Sequence, residues 1–219
     1  MHVSPIRAVY RRSYEMNDAF ELPFPQYRCP ECGKDLPLGE ARMTVTCATT
    51  CASHTPNEPV EFSVRKATDA DDNDIALLCE RALGETDVDV FGKTFDVLSG
   101  VNLIAESDGN LVGLLSLAID RGELAVVLLS VYPDFQGKRV GSSLLTAADQ
   151  FAAKRGLAFM RVAVTNDDIP QLYFYQRHGF SIYEAAVGEV ADRFGAATPG
   201  FSGIPVRDEI RLRRSVCVS

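Results

Sequence analysis

The sequence predicts an α/β domain built on a mixed sheet, preceded by a small cysteine-bearing module. Three observations carry this. Strand-like and helix-like patterns alternate from about residue 60 onward. One junction, residues 123–154, reads strand, glycine loop, helix. Four of the six cysteines fall within Cys29–Cys51, in a stretch with few large apolar residues. The expected organisation is an N-terminal arm over 1–24, a compact module over 25–58 and the α/β domain over 60–219. Pro56-Asn57-Glu58-Pro59 marks the turn between the last two.

Each element of the domain follows from its local pattern. Val60–Lys66 alternates as a strand. Thr68 or Asp69 caps a helix to about Leu83, with Ile75, Leu78, Cys79 and Ala82 on one face. Residues 87–98 read as a second, weaker helix. Val101–Glu106 and Leu111–Ile119 form a hairpin about Asp108-Gly109-Asn110. Residues 123–131 form the strand that enters the glycine loop, and the following helix runs to about Lys154, ended by Gly156. Ala158–Val164 is a strand, Ile169–His178 a short helix stopped by Gly179, and Phe180–Val187 and Glu209–Val218 are strands. Two helical crossovers between strands, together with antiparallel hairpins, require a mixed sheet.

Composition narrows the function. The chain has 219 residues, 46% hydrophobic and 24% charged, as in ordinary globular proteins. A net charge of −8 disfavours a nucleic-acid binder. No apolar run reaches the roughly 20 residues of a membrane span. Met1–Asn17 carries arginines without an apolar core and does not read as a secretory signal, so a cytoplasmic location and reduced cysteines are expected.

The cysteines then read as metal ligands. Cys29-Pro-Glu-Cys32-Gly33 and Cys47-x-x-x-Cys51 flank a stretch long enough for a hairpin, with Met43 and Val45 on one side and Thr44 and Thr46 on the other. Four thiolates make a closed tetrahedral zinc site, a structural staple for a segment too small to have its own core. The second pair is one residue longer than usual, and His54 is an alternative to Cys51. The module's cations, Arg28, Lys34 and Arg42, are outnumbered by Glu31, Asp35, Glu40 and Glu58, so a protein contact suits it better than a nucleic acid.

The glycine loop is the most informative stretch: Ser130-Val131-Tyr132-Pro133-Asp134-Phe135-Gln136-Gly137-Lys138-Arg139-Val140-Gly141-Ser142. Free amides and the positive end of a helix meet there, which suits a phosphate. Neither the P-loop nor the dinucleotide spacing is present. The stretch resembles the pyrophosphate loop of the GNAT acetyltransferases, Gln/Arg-x-x-Gly-x-Gly/Ala, through Gln136, Gly141 and Val131-x-Pro133. Arg139 stands at the family's first glycine. It is expected as the first helical residue, where arginine costs little; at positive φ it would be strained. A second block, Asn166 followed by Leu172-Tyr-Phe-Tyr175-Gln-Arg-His-Gly179-Phe180, also resembles the family, and the likeness spans about residues 61–187.

The resemblance implies direct acetyl transfer from acetyl-CoA to an amine, with acetyl-CoA as co-substrate. It implies that Ser130 and Val131 pair with the pantetheine arm, that Gln136, Gly137, Lys138, Arg139, Val140, Gly141 and Ser142 wrap the pyrophosphate, and that Asn166 contacts the cofactor. Tyr175 is implied as the acid for the leaving thiolate. Glu123 is a candidate base, with His178, Asp208 and Glu209 as others and a water relay as a route needing none. Relatives acting on protein N-termini often carry a Glu where this chain has Arg161, which counts against that acceptor class. Homodimerisation through the last strands is a further family expectation. The rival reading is a non-catalytic CoA-binding protein recruited to a partner through the cysteine module, which looks like a zinc ribbon.

Overall fold

The computed structural model describes residues 60–195, 198–200 and 203–216. The expected arm (1–24) and zinc module (25–58), with Cys29, Cys32, Cys47, Cys51 and His54, lie outside the described residues.

The domain starts with the short strand β1 (Ser63–Lys66). A 3₁₀ turn, Asp69–Asp71, then leads into helix α1 (Asp72–Ala82). The Asp71 carboxylate closes this entry. It accepts hydrogen bonds from the Thr68 amide (2.8 Å) and hydroxyl (2.9 Å) and pairs with Arg65. Such a reciprocal cap satisfies amides that the first helical turn leaves open. α1 buries Ile75, Leu78 and Cys79, the face its spacing predicts.

Residues 87–98 are not helical. They form a hairpin, β2 (Asp87–Val90) and β3 (Lys93–Asp96), around Phe91 and Gly92 at φ 57° and 72°. The alternation Asp87-Val88-Asp89-Val90 has period two, and Phe-Gly is a two-residue turn with both positions left-handed. Strands β4 (Val101–Ser107), β5 (Asn110–Asp120) and β6 (Glu123–Val131) form an antiparallel meander. Helix α2 (Val140–Lys154) crosses over to β7 (Phe159–Thr165), which runs parallel to β6. Helix α3 (Ile169–Arg177), strand β8 (Ser181–Ala186) and helix α4 (Glu189–Phe194) follow. The short pair β9 (Thr198–Pro199) and β10 (Pro205–Val206) and the strand β11 (Glu209–Ser215) complete the described chain. The seven-stranded sheet has the order β1-β4-β5-β6-β7-β11-β8. α4 and the β9/β10 pair are elements the sequence pattern does not reveal.

The sheet is covered on both faces. On one, α2 buries Leu144, Leu145, Ala148 and Ala152 against Leu115, Leu117, Leu124, Val126, Met160, Val162 and Leu212. On the other, Ile75, Leu78 and Cys79 of α1 meet Ile104, Leu114, Val127 and Leu128. Truncating Leu145 to Ala would cost about 2–5 kcal/mol.

One irregularity positions the site. Leu128 pairs with Ser116 and Val126 with Leu117, so Val127 is an extra residue on β6. This bulge places the adjacent Val127 and Leu128 in one cluster. The parallel pairing to β7 runs from Leu124–Met160 only to Val126–Val162. Beyond Val126 the two strands part, although both continue.

Candidate active site

The parting of β6 and β7 opens a cleft. Its walls are Val126–Ser130 of β6, Val162, Ala163 and Thr165 of β7, and Tyr175 of α3. Asp89 of the hairpin, Glu189 and Arg193 of α4, and Glu209 of β11 line it as well. It encloses about 140 Å³. Among the described residues, the edge of β6 that faces β7 has no strand partner after Val126, so its amides and carbonyls are open to an extended ligand.

β6 leads directly into the glycine loop. A 3₁₀ turn, Pro133–Phe135, is fixed by the Phe135 amide on Tyr132 O (2.8 Å). The Gln136 side-chain amide donates back to Val131 O (3.0 Å), so the loop is clamped across its base. Gly137 lies at φ 73°, where a side chain would be strained. Arg139 is the N-cap of α2 at φ 67°, ψ 3°. This corrects the sequence expectation that it is the first helical residue; that residue is Val140. The left-handed conformation turns the chain so that Val140, Gly141 and Ser142 present amides lacking helical carbonyl partners, while Ser143 N already bonds Arg139 O (3.0 Å). Gly141 is needed for close approach: a Cβ there would stand 3.3 Å from Phe174 Cζ. The loop therefore brings Gln136, Gly137, Lys138, Arg139, Val140, Gly141 and Ser142 together at the end of the open β6 edge that carries Ser130 and Val131.

Tyr175 is 1% exposed and lines the cleft. Its ring packs edge-on to Phe174 and Phe180, at 5.3 and 5.4 Å between centroids. Burial, and secondarily the charge of Asp168, push its phenol well above the ordinary tyrosine value, so it stays protonated. Asp168 caps α3 by accepting from Gln171 N (2.9 Å).

Two candidates take other positions. Glu123 sits at the paired end of β6, away from the opening, and does not line the cleft. Its carboxylate meets Arg213 Nη1 at 3.1 Å and Arg161 Nε at 3.8 Å. Arg161 also pairs with Asp120 and stacks over Phe91 at 4.1 Å. Glu123 is thus one member of an ion network across β5, β6, β7 and β11, which does not suit a base for a substrate in the cleft. Asn166 joins two segments: its Nδ2 donates to Pro205 O (2.9 Å), and its Oδ1 accepts from Arg207 N (2.8 Å) and Asp208 N (2.9 Å). Arg207 O in turn accepts from Val190 N and Ala191 N at the start of α4 (both 3.0 Å). Asn166 thereby anchors the cleft wall formed by α4, a role its place in the motif does not disclose.

The sequence reading missed the β2–β3 hairpin as a wall and Glu209 as its tie. Glu209 Oε2 accepts from Phe91 N (3.1 Å), and its Oε1 pairs with Arg211 Nε (2.7 Å). Among the described residues, no group of three or more His, Cys, Asp or Glu converges as a metal site. No helix among them is long and apolar enough to cross a membrane.

Comparison with known proteins agrees with this geometry. Residues 74–180 match the family model "Acetyltransferase (GNAT) family". A protein of Bacillus subtilis, uncharacterised YxbD, is 29% identical over 121 residues, covering 53% of this chain and 74% of its own length. The mycothiol acetyltransferase of Clavibacter sepedonicus is 35% identical over 97 residues, 44% of this chain and 32% of that protein. The chain thus spans about a third of that relative. In fold, a GNAT family acetyltransferase from Elizabethkingia anophelis, solved with acetyl-CoA bound, matches with a TM-score of 0.55 at 20% identity, covering 70% of this chain and 97% of the other. Residues 74–180 thus match the GNAT acetyltransferase family, and the strand order, the parted β6 and β7 and the glycine loop agree with that match.

Proposed function

We propose that this protein transfers the acetyl group of acetyl-CoA to a primary amine by direct attack. The observation that carries the proposal is the continuity of the open β6 edge with the amide-rich loop at the start of α2. An extended pantetheine arm fits that edge, where the main chain of Val131 would pair with it, while Ser130 turns its own main chain to Leu114 of β5. The loop from Gln136 to Ser142 suits the pyrophosphate, since the first-turn amides of Val140, Gly141 and Ser142 and the helix dipole converge on one point. Lys138 and Arg139 add positive charge. The thioester then falls in the cleft beside Tyr175.

The chemistry follows from this placement. A neutral amine attacks the thioester carbonyl, the C–S bond breaks, and the sulfur leaves as thiolate. The protonated phenol of Tyr175 donates to that sulfur. Asp89, Glu189 and Glu209 line the cleft and draw a cationic amine toward it. Glu209 is the most buried of them, and its carboxylate is held by the Phe91 amide and Arg211, so the amine proton leaves to solvent without an assigned side-chain base. The test is release of CoA from acetyl-CoA with a panel of small amines and peptides. Amine-dependent release supports the proposal. CoA binding without release from any amine would favour the non-catalytic reading.

The proposal extends to the N-terminal module. Cys29, Cys32, Cys47 and Cys51 would bind one zinc ion as a closed structural site, a reading supported by their spacing and softness.

A further inference from the structure

His178 lies at the end of α3, between that helix and the first turn of α2. Its Nδ1 is 2.8 Å from Phe174 O and its Nε2 is 2.9 Å from Ser142 Oγ. Its ring packs on Phe174 at 4.3 Å. A carbonyl only accepts, so Nδ1 carries a proton. In the neutral ring Nε2 is then bare, and the Ser142 hydroxyl must donate to it. The Ser142 oxygen consequently offers only lone pairs to the glycine loop, and lone pairs repel a phosphate oxygen.

The charged ring reverses this. Nε2–H donates to Ser142 Oγ, and the serine proton is released to donate toward the loop. We propose that His178 is a positioning residue for CoA, and that CoA binding draws one proton from solvent onto His178 Nε2 as the Ser142 hydroxyl turns to the pyrophosphate. This rests on the reading of the loop as the pyrophosphate site. Charged groups on the surrounding elements have their own partners. Arg177 of α3 donates to Tyr173 Oη (3.2 Å), Asp149 of α2 pairs with Arg214 of β11 (2.8 Å), and Lys138 lies over the Phe135 ring. Arg139 is exposed on the loop. Nε2 meets Ser142 Oγ, and the orientation of that hydroxyl is the one the ring controls.

The test is calorimetric titration of the full chain with CoA in two buffers of different ionisation enthalpy. A pH of about 7.5 keeps the CoA phosphates, whose last ionisation lies near 6, fully charged. The wild-type protein should take up a positive fraction of a proton per CoA bound. His178→Gln, which keeps an amide donor and acceptor but does not titrate, should abolish the uptake. Ser142→Ala should abolish it with His178 still present. Each variant should weaken CoA by roughly tenfold, the scale of one charge-assisted hydrogen bond. Zero uptake by the wild-type protein, or uptake that persists in both variants, overturns the inference while leaving the CoA site intact. Failure of the wild-type protein to bind CoA overturns the reading of the loop and the inference with it. Should both variants fail to fold, the wild-type uptake alone decides.

Discussion

Arg139 is the residue at which fold and function pull apart, and two substitutions separate them. It caps α2 at φ 67°, a conformation that costs an ordinary L-residue roughly 1–2 kcal/mol. Arg139→Gly relieves that cost but gives the unfolded chain more freedom, worth about 0.4–1 kcal/mol. The net expectation is a stabilisation of up to about 1.5 kcal/mol. Arg139→Ala keeps the strain and removes only an exposed side chain, so stability should stay within about 0.5 kcal/mol of the wild-type value. Affinity should behave differently. If the guanidinium reaches a CoA phosphate, both variants lose a charge-assisted hydrogen bond of about 1.5–3 kcal/mol, or roughly ten- to a hundredfold in Kd. Urea unfolding at constant m-value reads the first quantity and CoA titration the second. A glycine variant clearly less stable than the alanine variant would refute the strain. An unchanged CoA Kd in both variants would show that the side chain contributes nothing to the loop.

Further outcomes follow from the same structure. Tyr175→Phe should lower kcat by about a hundredfold or more, the usual contribution of a positioned acid, with little change in CoA affinity; an unchanged kcat would remove Tyr175 from the mechanism. Asp120 is held below the ordinary carboxylate range by the Lys93 hydrogen bond and the charge of Arg161, against a smaller opposing effect of burial. Its stabilisation is therefore present above the unfolded value near 3.9 and lost as pH falls through the lower folded one. Asp120→Asn should cost about 3 kcal/mol near neutral pH, because it leaves Arg161 without a main partner, and progressively less as pH falls below the unfolded carboxylate value, by urea unfolding. Cys79 is fully buried and its thiol is pushed up to about 11 by burial and by Asp96, so it should resist alkylation in the native protein and react on unfolding. Metal analysis of the full chain should find about one zinc per chain, lost in Cys29→Ser with Cys32→Ser; a metal-free folded protein would refute the cysteine site.

The sequence disclosed the domain wherever periodicity and punctuation agree. The face of α1, the hairpin at Asp108-Gly109 and the β6–loop–α2 junction were legible because each carries its own cap, turn or glycine. The 87–98 segment was not, because a left-handed Phe91 is an uncommon hairpin residue and Val88, Val90 and Phe95 also fit a weak helix. The loop residues of the candidate site were legible for a similar reason: amides at a helix start depend on local chain geometry. The opening of the cleft was hidden, since the Val127 bulge exists only in the pairing of β5 with β6 and no local signal marks it. Glu123 misleads in sequence because its position on β6 fits a base, whereas Arg213, ninety residues later, pairs with it. Asn166 stands where the motif places it, yet its amide holds residues 205–208, a partner that only the tertiary fold supplies.

The central claim is that acetyl-CoA lies along the open edge of β6 with its pyrophosphate on the loop before α2. A crystal structure of the protein with acetyl-CoA tests it most directly. The account predicts pantetheine hydrogen-bonded to the main chain of residues 127–131, phosphate oxygens on the amides of residues 137–142, and the thioester beside Tyr175. Acetyl-CoA bound at another surface, or no binding at saturating concentration, would contradict it.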